Sequence, residues 1–380
     1  MLKSISTSLL LGTSLFATIL AAHDAQVPLS GPSRHHQVDP DILNALKKHS
    51  DPVDAYISLH PDAADQLAQP RLLRVSGQDP KWMTEGDKLR LKRKGKKFVD
   101  ITDHEEFYKQ NVNALAGQAH LPKLSHHGIV KPLLPQVSTK RMHDVLEHMT
   151  SYYTRYFGSV TGEQSALWLH DHIADIIKES PFHTHISLEF FTHSFPQPSI
   201  IARFEPKVRN FSLPLTIIGA HQDSMNYLFP LLPAPGADDD CSGTVSILEA
   251  FRVLATSGFI PINGPVEFHW YAAEEGGLLG SQAIARYKKE SGARIGAMMD
   301  GAGSDYMSFT QLGYPSAFAS EGNPSAGPFP GEFDPYVHTA KDTMDINDET
   351  GVFSLEHMAR FSELAIAFVV EQAGWDNKWR

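Results

Sequence analysis

The sequence contains a single cysteine among its 380 residues. One cysteine cannot form an intrachain disulfide bond, and it excludes sites built from several thiolates, such as zinc fingers and iron–sulfur clusters. Basic residues are also scarce, since 33 Lys and Arg face 44 Asp and Glu. Proteins that bind nucleic acid neutralise phosphates with Lys and Arg, so we expect no nucleic-acid partner for this acidic chain. Catalytic chemistry would have to come from carboxylates, histidines and hydroxyls.

Long apolar runs are absent as well. No stretch after the N-terminus reaches the roughly 18 apolar residues of a transmembrane helix, so no stable membrane association is expected. Ser8 to Leu20 is apolar but short, Lys3 precedes it, and the small residues Ala21 and Ala22 follow it. This pattern predicts a signal peptide over residues 1–22 and a secreted, extracellular protein, with a buried N-terminal helix as the alternative.

The charge is unevenly distributed along the chain. Up to Lys97 the net charge is +4, and beyond it the net charge is −15. Seven of the ten residues from Lys88 to Lys97 are basic. In a secreted chain the pair Lys92-Arg93 favours a protease processing site, although a solvated charged face or a patch for nucleic acid or membranes would have the same composition. We interpret residues 23–97 as a prosegment, inhibitory or folding-assisting, whose charge favours docking on the acidic domain 98–380.

Helical and strand-like apolar patterns alternate beyond Lys97. They predict helices over 143–157, 165–178, 244–255 and 279–289, and strands over 186–193, 199–205, 215–220, 266–273 and 295–299. Such alternation is typical of a doubly wound α/β domain. We therefore expect a three-layer sandwich in which helices flank a central mixed, largely parallel sheet.

Three of the predicted strands end in residues that bind metals or move protons. His221 and Asp223 follow the first, Glu274 and Glu275 follow the second, and Asp300 follows the third. A loop of three aspartates, Asp238 to Asp240, lies between the first two strands. Ligands of such sheets bind outside the carboxyl ends of the strands. The sequence therefore predicts that these side chains meet in one site.

Several carboxylates in one pocket repel one another unless a cation is bound between them. Carboxylate and imidazole donors without a thiolate suit zinc in a catalytic site, and two ions would need a bridging carboxylate from the aspartate loop. Asp223 is placed to fix the tautomer of His221. A further histidine is needed, and His338 is the candidate, with Asp342 as its possible partner. Each signal alone is weak, whereas their order at the strand ends is specific.

These motifs resemble those of the di-zinc aminopeptidase family that includes secreted fungal leucine aminopeptidases and bacterial leucyl aminopeptidases. The similarity extends from Phe98-Val-Asp-Ile-Thr102 to the C-terminal helix, through the segments 152–169, 194–203, 219–224, 235–240, 271–281 and 338–343. The resemblance implies that Asp239 bridges two zinc ions. It also implies metal ligands on one side at His221 and Asp300, metal ligands on the other side at Glu275 and His338, and a general base at Glu274.

The expected protein is therefore a secreted, monomeric metallo-aminopeptidase that releases leucine or other hydrophobic residues from peptides with a free N-terminus. A water activated by two zinc ions would give its proton to Glu274 and attack the peptide carbonyl. A metal-dependent carboxypeptidase or dipeptidase with similar ligands is an alternative. Motifs of other hydrolases, G-x-S-x-G and H-E-x-x-H, are absent from the sequence.

The chain departs from the family between Asp300 and His338, where it has 37 residues. The family segment is longer, so we expect the domain to be shortened between residues 301 and 304. The missing residues line the substrate pocket in relatives, which makes a catalytically impaired homologue that binds metal or peptide the alternative function. Cys241 is interpreted as a small buried residue rather than a stray metal ligand. The sequon at Asn210 predicts glycosylation.

Overall fold

The computed structural model describes residues 38–75, 78–105, 124–210, 212–292, 295–300, 305–322 and 334–376, and of 295–300 it describes the backbone alone. The predicted signal peptide, residues 1–22, lies outside the described residues, as does the predicted shortening between residues 301 and 304. The predicted prosegment, residues 23–97, is described from residue 38 onward except for residues 76–77.

The described part of the predicted prosegment folds into helices and a small antiparallel sheet. In chain order its elements are α1 (Pro40–Lys48), α2 (Pro52–Leu59), α3 (Ala64–Leu67), β1 (Pro70–Val75), β2 (Lys81–Thr84) and α4 (Glu85–Arg93), followed by β3 (Phe98–Asp100). The strands lie in the order β2–β1–β3. Strand β3, which we expected to begin the domain 98–380, is thus paired with a strand of the prosegment.

Local sequence signals determine where the first helices begin. The Asp39 and Asp51 side chains accept backbone N–H groups at the starts of α1 and α2, and a proline occupies the first turn of each helix. Thr84 and Asp87 form a reciprocal capping box at the start of α4. Such caps satisfy N–H groups that have no partner within the helix.

A six-stranded sheet forms the centre of the domain. Its strands are β4 (Ile186–Phe191), β5 (Ser199–Phe204), β6 (Leu215–His221), β7 (Val266–Tyr271), β8 (Ile295–Asp300) and β9 (Ser316–Phe318), in the spatial order β4–β5–β7–β6–β8–β9. The last four are parallel to one another, whereas β4 and β5 are joined to the sheet by antiparallel pairs. The predicted mixed sheet is confirmed.

Helices cover both faces of this sheet. They are α5 (His127–Val130), α6 (Thr139–Thr150), α7 (Val160–Glu179), α8 (Gly243–Thr256), α9 (Leu279–Glu290), α10 (Tyr306–Gln311) and α11 (Leu355–Ala373), and the short strands β10 (Asn347–Asp348) and β11 (Gly351–Val352) precede the last one. Successive side chains of a strand point to opposite faces. Accordingly, Ile218 packs with the apolar residues of α6, α7, α8 and α11, whereas Ile217 packs with those of α9 and α10. All residues of β6 and β7 are buried, as expected for strands covered on both faces.

Two predicted helices differ in their bounds: α7 (Val160–Glu179) begins five residues before the predicted 165–178, and α6 is shifted as a whole. The pattern predicted a helix over 143–157, and α6 runs from Thr139 to Thr150. It begins earlier because the Ser138 side chain accepts the N–H group of Arg141. It ends earlier because Thr154 forms a bridge with Ala234 and Arg155 enters the interior. Tertiary contacts therefore override the helical pattern after residue 150.

Candidate metal centre

The carboxyl ends of three neighbouring parallel strands bring the predicted site residues to one edge of the sheet. His221 is the last residue of β6 and is paired with Tyr271, the last residue of β7. Glu274 and Glu275 follow three and four residues later. The backbone of Asp300 lies at the end of β8, next to β6, but its side chain is outside the described residues. That Asp300 binds a metal therefore stays a prediction.

Asp239 lies between two histidines that come from distant parts of the chain. Its Oδ1 atom is 3.1 Å from Nε2 of His221, and its Oδ2 atom is 2.8 Å from Nε2 of His338. The Oε1 atom of Glu275 is 2.9 Å from the same Nε2 atom of His338. One carboxylate thus faces two imidazoles, as a bridging ligand would.

Three of these side chains, Asp239, Glu275 and His338, form a group that can hold a metal ion. Their donor atoms all lie within 4.8 Å of one another. Zinc binds oxygen and nitrogen at about 2.0–2.2 Å, which separates the donors of a tetrahedral site by about 3.3 Å. The N–O separations of 2.8 and 2.9 Å are close to that value. Donor chemistry and spacing therefore both fit a zinc ion.

The carboxylate of Asp223 joins the ends of β6 and β7. It is fully buried and accepts the backbone N–H groups of Glu274 and Glu275, each at 3.1 Å. Nδ1 of His221 lies 3.1 Å from the Asp223 carbonyl oxygen and 3.4 Å from its carboxylate. In the neutral imidazole, donation from Nδ1 would leave Nε2 of His221, which faces Asp239, free to bind a metal.

Asp342 stabilises the aspartate loop through hydrogen bonds to its backbone. Its carboxylate is fully buried and accepts the backbone N–H groups of Asp238 at 2.7 Å and of Asp239 at 3.1 Å. We had predicted Asp342 as a possible partner of His338. The contacts with the loop give Asp342 a further role, which is to hold the loop backbone in place. No sequence pattern indicates this role, because almost all residues have a backbone N–H donor.

The charges of the centre shift the pKa values of its members. Burial opposes ionisation, yet the adjacent carboxylates of Glu275 and Asp239 raise the pKa of His338 to about 10, and those of Asp223 and Asp239 raise the pKa of His221. The two histidines in turn lower the pKa of Asp239 against the effect of burial. Glu274 behaves differently, because burial and the charge of Glu275 raise its pKa. A carboxyl group with a raised pKa is suited to take up and return a proton.

Comparison with known proteins identifies the family. The family described as Peptidase family M28 matches residues 199–303, which include four of the predicted ligands. Leucine aminopeptidase 1 of Coccidioides posadasii (strain C735) is 35% identical in an alignment that covers 84% of this chain and 94% of the relative. The chain belongs to peptidase family M28. Leucine aminopeptidase 1 of Neurospora crassa is 34% identical, with 79% of this chain and 85% of the relative covered. The family predicted from the motifs is confirmed.

Solved structures of other proteins are similar to this M28 peptidase. Legionella pneumophila LapA is 27% identical with a TM-score of 0.58, and the match covers 73% of this chain and 85% of that one. LapB from the same organism is 22% identical with a TM-score of 0.62, and the match covers 83% of this chain and 97% of LapB. This match shows similarity of the fold alone. The alignment with the Coccidioides relative spans 379 residues but covers only 84% of this chain. The relative therefore has residues without a counterpart here.

Arg155 is a residue of the M28 peptidase centre that the sequence patterns did not reveal. It is fully buried, and its guanidinium donates to the carbonyl oxygens of Gln222 and Gly236, each at 2.9 Å, and to that of Pro235. Its backbone N–H donates to the Ser224 hydroxyl at 3.0 Å. Gln222 adjoins His221, a predicted ligand, and Pro235 and Gly236 lie just before the aspartate loop. Arg155 therefore fixes the two loops that carry predicted ligands relative to each other.

Lys92 also belongs to the centre, although it lies in the predicted prosegment. Its Nζ atom forms an ion pair with Oε2 of Glu275. The sequence drew attention to Lys92-Arg93 only as a processing site, and a separation of 183 residues concealed the contact. Despite burial, the charges of Glu275 and Glu274 raise the pKa of Lys92, so its amine is protonated.

Cys241 lies in the core of the M28 peptidase. It is fully buried and packs in the apolar cluster that includes Val245 and Leu248. Burial raises the pKa of its thiol to about 12. Because metals bind the thiolate, a thiol that stays protonated is a poor ligand. The position is consistent with a space-filling role for this residue.

The predicted glycosylation site lies on the surface of the M28 peptidase. Asn210 is exposed, and its side-chain oxygen accepts the N–H group of Ser212 at 2.9 Å. Glycosylation at Asn210 remains a prediction. Within the part of the chain that the structure describes, no helix has the length and apolar character needed to cross a membrane.

Proposed function

We propose that this M28 peptidase is a zinc-dependent aminopeptidase that releases N-terminal residues, with leucine or another hydrophobic residue preferred, from peptides. The observation that carries the proposal is the placement of Asp239, whose two oxygens face His221 and His338 at 3.1 and 2.8 Å. The relatives named leucine aminopeptidase support the substrate class. We propose two zinc ions, one held by His221, Asp239 and Asp300 and the other by Asp239, Glu275 and His338.

The residues around this centre support a hydrolytic mechanism. Zinc lowers the pKa of bound water to about 7 and polarises a carbonyl group. Glu274 takes the proton of the attacking water and then gives it to the leaving amine, which its raised pKa favours. Asp223 accepts the N–H group of Glu274 and so fixes the backbone that carries this base. The acidic pocket attracts the positively charged N-terminus of a peptide.

We also propose that the enzyme is secreted as a monomeric proenzyme. The apolar stretch before residue 22, the basic prosegment and the exposed sequon at Asn210 support this proposal. N-terminal sequencing of protein from the culture medium should give a start after the signal peptide or, once processed, near Phe98. A secreted protein that retains Met1 would contradict the proposal. Gel filtration and glycosidase treatment test the oligomeric state and the glycan.

Hydrolysis of a chromogenic leucine amide by the processed protein tests the proposed activity. Zinc should restore hydrolysis after removal by a chelator. Glu274→Gln should reduce kcat by about 10²–10⁴-fold, the contribution typical of a general base, while zinc binding is retained. Glu147→Gln, an exposed glutamate of α6, is the matched control and should retain full activity. Unchanged turnover in Glu274→Gln would contradict the assigned role.

Two alternatives are separated by this assay and by one with a peptide substrate. A catalytically impaired homologue is favoured by the residues that the Coccidioides relative has and this chain lacks. It would bind zinc without hydrolysing the amide at any zinc concentration. A carboxypeptidase or dipeptidase is distinguished by acetylating the N-terminus of a peptide substrate. Acetylation should abolish cleavage by an aminopeptidase, whereas a carboxypeptidase would still release the last residue.

A further inference from the structure

Lys92 reaches from the prosegment into the proposed metal centre. It lies in the last turn of α4, and its Nζ atom forms an ion pair with Oε2 of Glu275. Only 16% of the Lys92 side chain and 1% of the Glu275 side chain are exposed. Both charges have lost most of their hydration, so the pair persists only where the surrounding contacts fix its geometry.

The surrounding contacts do fix α4 in place. Arg90 of this helix donates at 2.8 Å to Asp51, the N-cap residue of α2. Lys88 forms a buried ion pair with Asp100 of β3 at 2.6 Å. The Asp100 N–H group donates at 3.1 Å to the carbonyl oxygen of Gly277, two residues after Glu275. The helix is thus anchored both to the rest of the prosegment and to the loop that carries the proposed ligand.

The ammonium group shares the carboxylate of Glu275 with the group of side chains that can hold a metal ion. Oε1 of Glu275 faces His338, and Oε2 faces Lys92. One negative charge is therefore shared between the side chains that can hold a metal ion and the lysine. Two cations at one buried carboxylate repel each other, and water screens that repulsion only weakly. Lys92 also acts electrostatically on Glu274 and Asp239. Its charge therefore reaches the proposed base and the proposed bridging ligand.

We propose that Lys92 is an internal competitor of zinc. In the uncut chain its ammonium group binds Glu275, weakens zinc binding by Asp239, Glu275 and His338, and occupies the space beside Glu274. Removal of α4 from the centre frees the carboxylate for the metal. This inference rests on the proposed function, because it requires that Glu275 binds zinc.

Zinc titration of the metal-free full chain tests the inference. Lys92→Gln and Lys92→Met remove the charge, and the weaker of the two zinc sites should bind at least about tenfold more tightly in both variants. Lys94→Gln is the matched control, because it removes a neighbouring charge that is exposed, and it should leave both affinities unchanged. Glu275→Gln should abolish the same weaker site whether or not Lys92 is present.

The outcomes separate the inference from the proposed function. If Glu275→Gln weakens zinc binding but the two Lys92 variants bind zinc as the wild type does, the competition is refuted and the proposed ligand stands. If Glu275→Gln leaves both zinc affinities unchanged, the proposed metal site itself is wrong.

A second measurement uses the wild-type chain and does not depend on the folding of any variant. An amine-reactive ester should modify Lys92 slowly in the metal-free protein and several-fold faster at saturating zinc, because the ion displaces the ammonium group. Peptide mass spectrometry gives both rates, with Lys94 as the internal reference. A Lys92 rate that does not respond to zinc would refute the proposal.

Discussion

Arg155 shows how one side chain organises a site that it does not enter. Its guanidinium is fully buried, and its partners are carbonyl oxygens of Gln222, Pro235 and Gly236 rather than a carboxylate. Hydrogen bonds from a charged donor are among the stronger ones in proteins. Its planar fork can reach two loops at once, which the single ammonium group of a lysine cannot do. We therefore expect both stability and metal affinity to depend on it.

Arg155→Met should lower the free energy of unfolding by about 3 kcal/mol or more, since several buried carbonyl groups lose their donor. The zinc affinity should fall as well, because the loops of His221 and Asp239 lose their common support. Urea unfolding and zinc titration measure the two effects. Arg360→Met is the control, since Arg360 is 70% exposed and paired on the surface with Glu363, and it should change stability by at most about 0.5 kcal/mol. Equal effects of the two substitutions would contradict the role of Arg155.

The residues of the centre differ in how far the sequence reveals them. His221, Glu274 and Glu275 follow apolar runs, so the carboxyl ends of parallel strands predict where they meet. Lys92 and Arg155 have no such signal. Lys92 is one of seven basic residues in ten, and only the folded chain shows that it contacts Glu275.

Among the secondary-structure elements, α4 is the one on which the proposed processing would depend. It contains the pair Lys92-Arg93 in its last turn, and proteases require an extended chain rather than a helix. Arg93 also donates to the carbonyl oxygen of Ser50. Cleavage at this pair therefore requires that the end of α4 opens first, so its rate reports the local stability of the helix.

Thr84→Ala should accelerate cleavage by a trypsin-like protease at Lys92-Arg93. The substitution removes the hydroxyl that accepts the Asp87 N–H group and destabilises the helix by about 1 kcal/mol, which raises the open fraction about fivefold. Mass spectrometry of the fragments gives the rate. Ser354→Ala removes the corresponding cap of α11 and should leave this rate unchanged. Equal rates in the wild type and Thr84→Ala would show that opening of α4 does not limit cleavage.

The sequence predicts the elements of the central sheet better than those around it. Strands β6 and β7 are short, rich in β-branched and aromatic residues, and buried on both faces, so composition indicates them. The end of α6 was mispredicted because contacts of Thr154 and Arg155 with distant residues terminate the helix. The pairing of β3 with β1 likewise depends on a long-range contact between two short segments.

At the scale of the whole molecule, the unequal charge of the two parts acts through a few specific contacts. The basic run before residue 98 supplies the buried amines of Lys88 and Lys92, which face Asp100 and Glu275. The remaining basic residues from 94 to 97 are exposed. The net charges of +4 and −15 favour association in general, whereas these two buried pairs fix the position of α4, the last helix of the predicted prosegment.

We expect the whole molecule to lose stability in acid, because buried and half-buried histidines have lowered pKa values. Burial lowers the pKa of His193 to about 4 and also lowers the pKa values of His172 and His269. In the unfolded chain a histidine has a pKa near 6.5. Between about pH 6.5 and pH 4 the unfolded state therefore holds protons that the folded state does not, and the free energy of unfolding falls as the pH falls.

His193 alone should account for a loss of up to about 3 kcal/mol across that range, since one pKa unit corresponds to about 1.4 kcal/mol. His193→Gln should keep a partner for the Ser199 hydroxyl, which lies 2.8 Å from Nε2, while removing the titrating group. Its stability relative to the wild type should therefore improve as the pH is lowered from 7 to 4, as measured by urea unfolding at each pH. His127→Gln, at an exposed position of α5, should run parallel to the wild type over the same range. Each variant is compared with the wild type at the same pH, so the effect of protonating the metal ligands cancels. A difference in free energy of unfolding between His193→Gln and the wild type that is constant with pH would exclude His193 as a source of the acid sensitivity.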